Sequence, residues 1–429
     1  MSEYTRVLRH RNFRYLFTGQ AASAVGDGVV LVALALYVTQ TTGSAGDLGL
    51  VLGAQSLALV TLLLFGGVWA DRLPRQRVMI ATDLIRATLH ALLAVLILTG
   101  GATVWQLVAI EACYGAAQAF FQPAYTGLVP QTVPEELNLD ARALTEWVAN
   151  LASLIGPALA TALVLGVGAG EAFAFDAATF LFSAVMLARV HPRRRGRRSR
   201  AESVVRELRA GWREVRSRAW VWVTIAAYAI ALLCMYSQWY ALAPGIAREH
   251  YGGAGVFGVI ETVFGIGAVA AALLSLRWRP SHPLATGLLL CLAWPLECGA
   301  FALGAPLALV IPFSLATGCA FALMIIWWET ALARHIPPHL LSRVSAYDWM
   351  GSLALLPLGY VLAGPLSEAF GAQTVLGVGS LLGLVALVGA LLPRSTRELT
   401  ERPATPEELR AEPHLAHLAG RPETWSAAR

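Results

Sequence analysis

The stretch GGVWADRLPRQR, residues 66–77, ends one long apolar run and opens the next. It places Asp71 beside Arg72, Arg75 and Arg77. An apolar run that stops at a knot of arginine reads as a membrane-crossing helix ending on the cytoplasmic side, where basic residues collect in the loops. Topology alone accounts for the arginines; the aspartate is left over.

Outward from this junction, apolar runs near the length of a bilayer core, about 20 residues, recur at 15–39, 48–70, 78–98, 104–121, 144–167, 173–190, 220–243, 256–276, 284–303, 307–328, 343–366 and 374–392. They predict an all-helical membrane protein with about twelve spans. The loops alternate in charge. Arginine occurs before the first run (Arg6, Arg9, Arg11, Arg14), after the second, after the fourth (Arg142), after the sixth (HPRRRGRRSR), after the eighth (Arg277, Arg279), after the tenth (Arg334, Arg343) and after the last (Arg394, Arg397). The first, third, fifth, ninth and eleventh loops have none, and the seventh has only Arg248. This pattern predicts an even number of spans with both termini cytoplasmic.

Composition agrees. Of 429 residues, 57% are hydrophobic and 14% charged, against about 25% charged in a soluble domain. The mean hydropathy is +0.60. The formal charge of +5 fits basic loops at a membrane surface, not a nucleic-acid partner. Cys113, Cys234, Cys291, Cys298 and Cys319 fall in apolar runs without metal-ligand spacing, so they read as small buried hydrophobes and no metal is expected. All 32 basic side chains other than histidine are arginine. Without lysine there is no P-loop and no retinal Schiff base, which leaves an ion gradient as the energy source and no cofactor. The basic N-terminus lacks the pattern of a cleavable signal.

The basic segment 191–218 divides the chain into a six-span half at 1–190 and another at 219–392, with a charged, proline-containing tail at 393–429. Within it Val204, Val205, Leu208, Trp212 and Val215 share one helical face, predicting an amphipathic helix at the membrane surface. The halves echo each other. TGLVPQTVPEEL from Thr126 and TALARHIPPHLL from Thr330 align at a shift of 204, matching Leu128 to Leu332, Pro134 to Pro338 and Leu137 to Leu341. Two parallel six-helix repeats would produce this.

With these features the chain resembles the major facilitator superfamily. The opening stretch is similar to that family's loop motif G-x-x-x-D-R-x-G-R-R/K, through Gly67, Asp71, Arg72 and Arg75, with Pro74 and Gln76 departing from it. SAVGDGVVL around Asp27, DLIRA from Asp83, FFQPAYTGLVP from Phe120, IGPAL from Ile155, FDAATFLFS from Phe175 and LPLGYVLAGPL from Leu356 resemble the branch of enterobactin exporters and macrolide-efflux proteins. The resemblance implies that the loop motif latches the two halves in an outward-facing state. Asp71, just past a helix end, suits capping a neighbouring helix or pairing with a base; a dipole contact of about 0.3–1 kcal/mol is weak enough to release each cycle. It also implies a cavity lined by the first, fourth, seventh and tenth spans. Two departures stand out. Where many drug antiporters of the superfamily carry an arginine four residues before a glycine in the fourth span, this chain has Glu111 before Gly115. The fifth-span exporter signature keeps Gly156 and Pro157 but reads Ala160-Thr161 at its second glycine pair.

An acid inside a bilayer costs about 2.5–3.5 kcal/mol on insertion scales and is a functional candidate by default. Asp27, Glu111, Glu261 and Glu297 are the proton-coupling candidates. Asp83 has Arg86 at i+3, a structural pair. Asp176 and Glu329 are further intramembrane acids near span ends: Asp176 suits solvation or a functional role equally, and Glu329 suits snorkelling. Gln20, Ser23 and Asp27, continued by Tyr37, form a polar stripe on the first span; Glu111, Tyr114, Gln118, Gln122 and Tyr125 form another on the fourth. Such stripes suit either a water-filled cavity or interhelical hydrogen bonds. The candidates for the substrate cavity are Gln20, Tyr37, Tyr114, Gln118, Asn150, Tyr236 and Trp239. Tyr240, Trp327 and Trp328 suit a flat lipophilic ligand or an interfacial aromatic belt equally.

The expectation is a monomeric secondary transporter that exports an amphipathic small molecule (drug, antibiotic or siderophore-like) by proton antiport and alternating access, with substrate and lipid as its partners. Uptake on the same fold and a transporter-like sensor that moves nothing are the alternatives. No nucleophile motif points to an enzyme.

Overall fold

The computed structural model describes residues 3–193, 204–275, 277–278 and 280–400, and every regular element among them is helical. A bilayer core offers no partner for backbone N–H and C=O groups, so each crossing segment must satisfy them internally. Twelve rods result: α1 (Arg11–Thr41), α2 (Ala45–Arg72), α3 (Arg75–Leu98), α4 (Val104–Leu128), α5 (Asn138–Gly166), α6 (Ala169–Ala188), α7 (Ala219–His250), α8 (Gly255–Ser275), α9 (Pro283–Ala302), α10 (Leu307–His335), α11 (Arg343–Phe370) and α12 (Ala372–Ala390).

Ten of these contain a stretch long and apolar enough to cross a membrane. The other two are α4, where Gln106, Glu111, Gln118 and Gln122 dilute the apolar run, and α5, whose described residues include the apolar stretch Ile155–Gly166. Their 25 and 29 residues still extend about 37 and 43 Å at 1.5 Å per residue, beyond a hydrocarbon core of about 30 Å. Large apolar side chains such as Leu57, Leu181, Leu273 and Val385 remain exposed on the rods, as a lipid-facing surface requires. The chain is a multi-pass membrane protein.

Two compact units form. The first gathers α1–α6 with Tyr240–Gly265 and Tyr360–Ala372, the arginine-poor ends of α7, α8 and α11. The second gathers the remaining lengths of α7, α8 and α11 with α9, α10 and α12.

In the first unit α1 packs on α5 and α6, α3 on α4 and α6, and α2 on α4. Glycine sets several of these approaches. A Cβ on Gly156 would lie 2.5 Å from the backbone of Gly28, so α5 and α1 touch backbone to backbone. A Cβ on Gly115 would lie 2.9 Å from the carbonyl carbon of Gln55, which gives this glycine a packing role between α4 and α2. At the arginine-poor end, Arg248 Nη1 donates to the carbonyl of Thr39 at 2.9 Å and lies against Gly43, whose φ of +68° turns the chain out of α1.

In the second unit α7 contains a π-helical turn at Leu232–Tyr236. Just beyond it Gln238 Nε2 donates to the carbonyl of Gly359 in α11 at 2.9 Å. The segment between the halves forms a helix at Val204–Ser217. Gly211 lies against Arg343 and Tyr347 of α11, and Arg218 clasps Glu214 at 2.8 Å. Val215 is buried, whereas Trp212 is exposed with its ring 5.6 Å from that of Tyr347.

Candidate functional site

The acids of the first unit converge on α3. Asp83, Arg86 and His90 recur at i, i+3 and i+7, so one face of α3 carries a carboxylate, a guanidinium and an imidazole. Arg86 Nη2 donates to Asp83 Oδ1 at 2.5 Å, and Arg86 Nη1 lies 3.8 Å from Asp27 Oδ1 of α1. The guanidinium is held between the rings of Phe121 and Phe180, at 4.1 and 4.2 Å. Tyr114 of α4 donates its hydroxyl to Asp27, while its ring stacks flat on His90 at 4.4 Å. His90 Nδ1 hydrogen-bonds Asp176 of α6, and His90 Nε2 faces Glu111 Oε1 at 3.6 Å.

Four carboxyl groups therefore share one guanidinium and one imidazole. They differ in access. Asp83, Glu111, Asp176 and His90 are fully buried, and Arg86 is 1% exposed; the Asp27 side chain is 36% exposed. Asp27 is the carboxylate through which this cluster meets the accessible surface. Gly26 brings α1 this close, because its missing side chain leaves room for Asp176 and Thr179 of α6. Among the described residues neither oxygen of Glu111 has a hydrogen-bond partner. The joint arrangement ties α1, α3, α4 and α6 through charge, in a setting where removing one partner strands the others.

The remaining candidates are placed as follows. Gln20 and Ser23 are buried, and Gln20 donates to Ser183 Oγ at 2.8 Å, so this part of the α1 stripe binds α6. Tyr37 and Gln118 are half-buried, and Gln122 is exposed. Glu261 is buried and accepts from the Tyr240 hydroxyl at 2.7 Å. In the second unit Glu297 is buried, Tyr236 is half-buried, and Trp239 packs edge-on to Phe301 at 5.1 Å. Trp327 and Trp328 are buried, and Trp328 donates to Asp348 of α11 at 2.8 Å. Glu329 is exposed.

The side chains of Gly67, Asp71, Arg72 and Asn150 lie outside the described residues, although the helical backbone of α2 and α5 carries them. Arg75 is described: its Nη1 donates to the carbonyl of Gly127 near the end of α4 at 2.6 Å. Beside it, Gln76 Nε2 donates to the carbonyls of Leu187 and Val190 at 2.7 and 2.6 Å. Gly156 and Pro157 are both buried.

Sequence reading left out His90 and Asp348 and left Asp176 open between solvation and function. His90 was detectable from its spacing on α3. Asp176 sits only seven residues into α6, but its helix face turns inward. Asp348, partly exposed in α11, had the same intramembrane signature as the acids that were singled out.

Comparison with known proteins follows the same lines. A family model described as transmembrane secretion effector matches residues 3–415. The multidrug efflux pump Tap of Mycolicibacterium fortuitum is 28% identical over 400 residues, covering 90% of this chain and 96% of Tap. The macrolide efflux protein A of Streptococcus pyogenes is 25% identical over 268 residues, covering 61% of this chain and 65% of that protein. Among solved structures, the nucleoside transporter NupG superposes with a TM-score of 0.69 at 13% identity, over 89% of this chain and 98% of NupG. A bacterial homologue of the human lysosomal transporter Spinster, inward-facing and occupied, gives a TM-score of 0.69 at 13% identity, over 94% and 99%.

Proposed function

The chain belongs to the transmembrane secretion effector family of the major facilitator superfamily, and on that premise we propose that it exports an amphipathic small molecule in exchange for protons, by alternating access. Its arginine-rich loops and both termini lie in the cytoplasm of a bacterial-type inner membrane, and it works as a monomer without a cofactor. Relatives named for multidrug and macrolide efflux support the direction and the broad substrate class.

Asp27 is the coupling acid. The observation that carries this is its partial exposure within an otherwise sealed charge cluster. Ionised, Asp27 accepts from Tyr114 and faces Arg86, tying α1 to α4 and α3. Protonated, it loses the attraction to Arg86, which keeps Asp83. Proton and substrate then compete for one state of α1, which is what exchange requires. Each pH unit across the membrane supplies about 1.4 kcal/mol per proton, and the potential about 2.3 kcal/mol per 100 mV for each net charge moved.

The test uses proteoliposomes with an imposed pH gradient and a fluorescent lipophilic drug as substrate. Asp27→Asn is expected to abolish accumulation against the gradient while drug binding and gradient-free exchange persist. Accumulation equal to the parent's would remove Asp27 from the mechanism and turn attention to Glu111, Glu261 and Glu297.

A further inference from the structure

The second unit has a cavity unrelated to the charge cluster, at the arginine-rich ends of α8, α9 and α10. Its volume is about 170 Å³, room for five or six waters at about 30 Å³ each. That is the scale of one phosphate group with its ester oxygens. The floor and sides are apolar, from Pro280, Pro283, Ile326 and Ala331. Trp327 forms one wall, backed edge-on by Trp278 at 5.3 Å.

Among the described residues the one charged side chain of the lining is a cation: Arg334, in the last turn of α10, contributes a guanidinium, while His335 beside it spends Nδ1 on the Ala331 carbonyl at 3.0 Å. Ser275 and Thr400 contribute hydroxyls, Thr330 donates its own to the Ile326 carbonyl at 2.7 Å, and no carboxylate lines the cavity among the described residues. Arg277 is exposed in the short connection to α9. A cavity between transmembrane helices, lined by arginine and tryptophan at the level of the basic loops, has the chemistry that holds anionic lipid headgroups at the cytoplasmic leaflet. A guanidinium also matches phosphate better than a point charge does, through paired N–H donors.

We propose that this cavity binds the phosphate headgroup of an anionic phospholipid, with Arg334 as its principal ligand and the Thr400 hydroxyl beside it. Bound there, the headgroup bridges α8, α9 and α10 to the chain that follows α12, because Thr400 belongs to that segment. Leu399 and Thr396 of the same segment are fully buried, so the residues that close the cavity are anchored beside it.

The full-length protein is purified in dodecyl maltoside and titrated with phosphatidylglycerol, phosphatidylcholine or inorganic phosphate. Thermal unfolding and the lipid retained in native mass spectrometry are read. Phosphatidylglycerol is expected to raise the melting temperature and to remain bound, phosphatidylcholine to do neither, and Arg334→Gln to lose at least fivefold in apparent affinity. Thr400→Val, a milder change, is expected to lose part of it, and Arg248→Gln to lose none. Stabilisation by inorganic phosphate as well, lost in Arg334→Gln, supports the phosphate chemistry and makes a soluble phosphate a rival to the lipid. Equal retention of phosphatidylglycerol by the parent, Arg334→Gln and Thr400→Val would overturn the proposal.

Discussion

Replacing Arg86 with methionine unbalances the first unit in a way that the geometry quantifies. The guanidinium is buried between two phenyl rings and donates to Asp83 at 2.5 Å. Methionine retains much of the stem's packing and gains sulfur–aromatic contact of about 0.3–1.5 kcal/mol, which offsets part of the lost guanidinium–ring attraction of about 0.5–2 kcal/mol per ring. The uncompensated loss is at Asp83. This carboxylate is fully buried, and breaking a buried pair from one side costs about 3–5 kcal/mol. A native domain has only about 5–15 kcal/mol to lose. Asp83→Asn in the same molecule removes the stranded charge, so the double variant should recover at least about 2 kcal/mol of that loss. Equilibrium denaturant unfolding in detergent, followed by circular dichroism for the parent, both single variants and the double, measures the coupling. An Arg86→Met loss under about 1 kcal/mol, or a double variant as unstable as the sum of the singles, would refute the view that this pair is held by mutual charge compensation.

Three further predictions concern packing, capping and orientation. Gly156→Leu forces α5 away from the backbone of Gly28, so the melting temperature should fall in proportion to an overpacking cost of about 1–3 kcal/mol, and an unchanged melting curve would show that the close approach is dispensable. Arg248→Ala removes the hydrogen bond to the Thr39 carbonyl; a cysteine placed at Thr42 should then label faster with a thiol reagent added from the arginine-poor side, and an unchanged rate would deny that Arg248 fastens this end. A reporter active only in the cytoplasm should work when fused after Arg394 and fail when inserted at Gly101, and the reverse pattern would invert the topology.

Much of the fold was legible because the membrane reduces folding to a count. Apolar length and loop arginines were enough to place twelve rods, and the polar face of α4 blurs its apolar signal. Boundaries were less legible: α4 runs on to Leu128 through Pro123, beyond the apolar run that ends at 121. The site was legible residue by residue but not as an assembly. Asp27, Glu111 and Tyr114 stood out as polar groups in apolar runs, and Asp83 with Arg86 as a local pair. What sequence could not supply is that four helices turn these groups toward one another. The contacts of Asp27 with Tyr114 and of His90 with Asp176 span 87 and 86 positions. Gly26 and Gly28 set how closely α1 approaches its neighbours, and nothing in their own identity says which helix they admit.

Gln76 occupies the place where the loop motif of the superfamily carries a cation. Its single amide nitrogen serves two carbonyls at the end of α6, Leu187 and Val190, using both of its hydrogens. A neutral joint of this kind is indifferent to its ionic surroundings. Salt does not screen it, an anionic lipid surface does not compete for it, and a change of membrane potential exerts no force on it. The neighbouring arginines remain subject to all three. The quoted stretch thus combines an electrically responsive element with a mechanical pin that holds the start of α3 to the end of α6 whatever the electrolyte, so a search for charge alone at that position would overlook a residue that does the fastening.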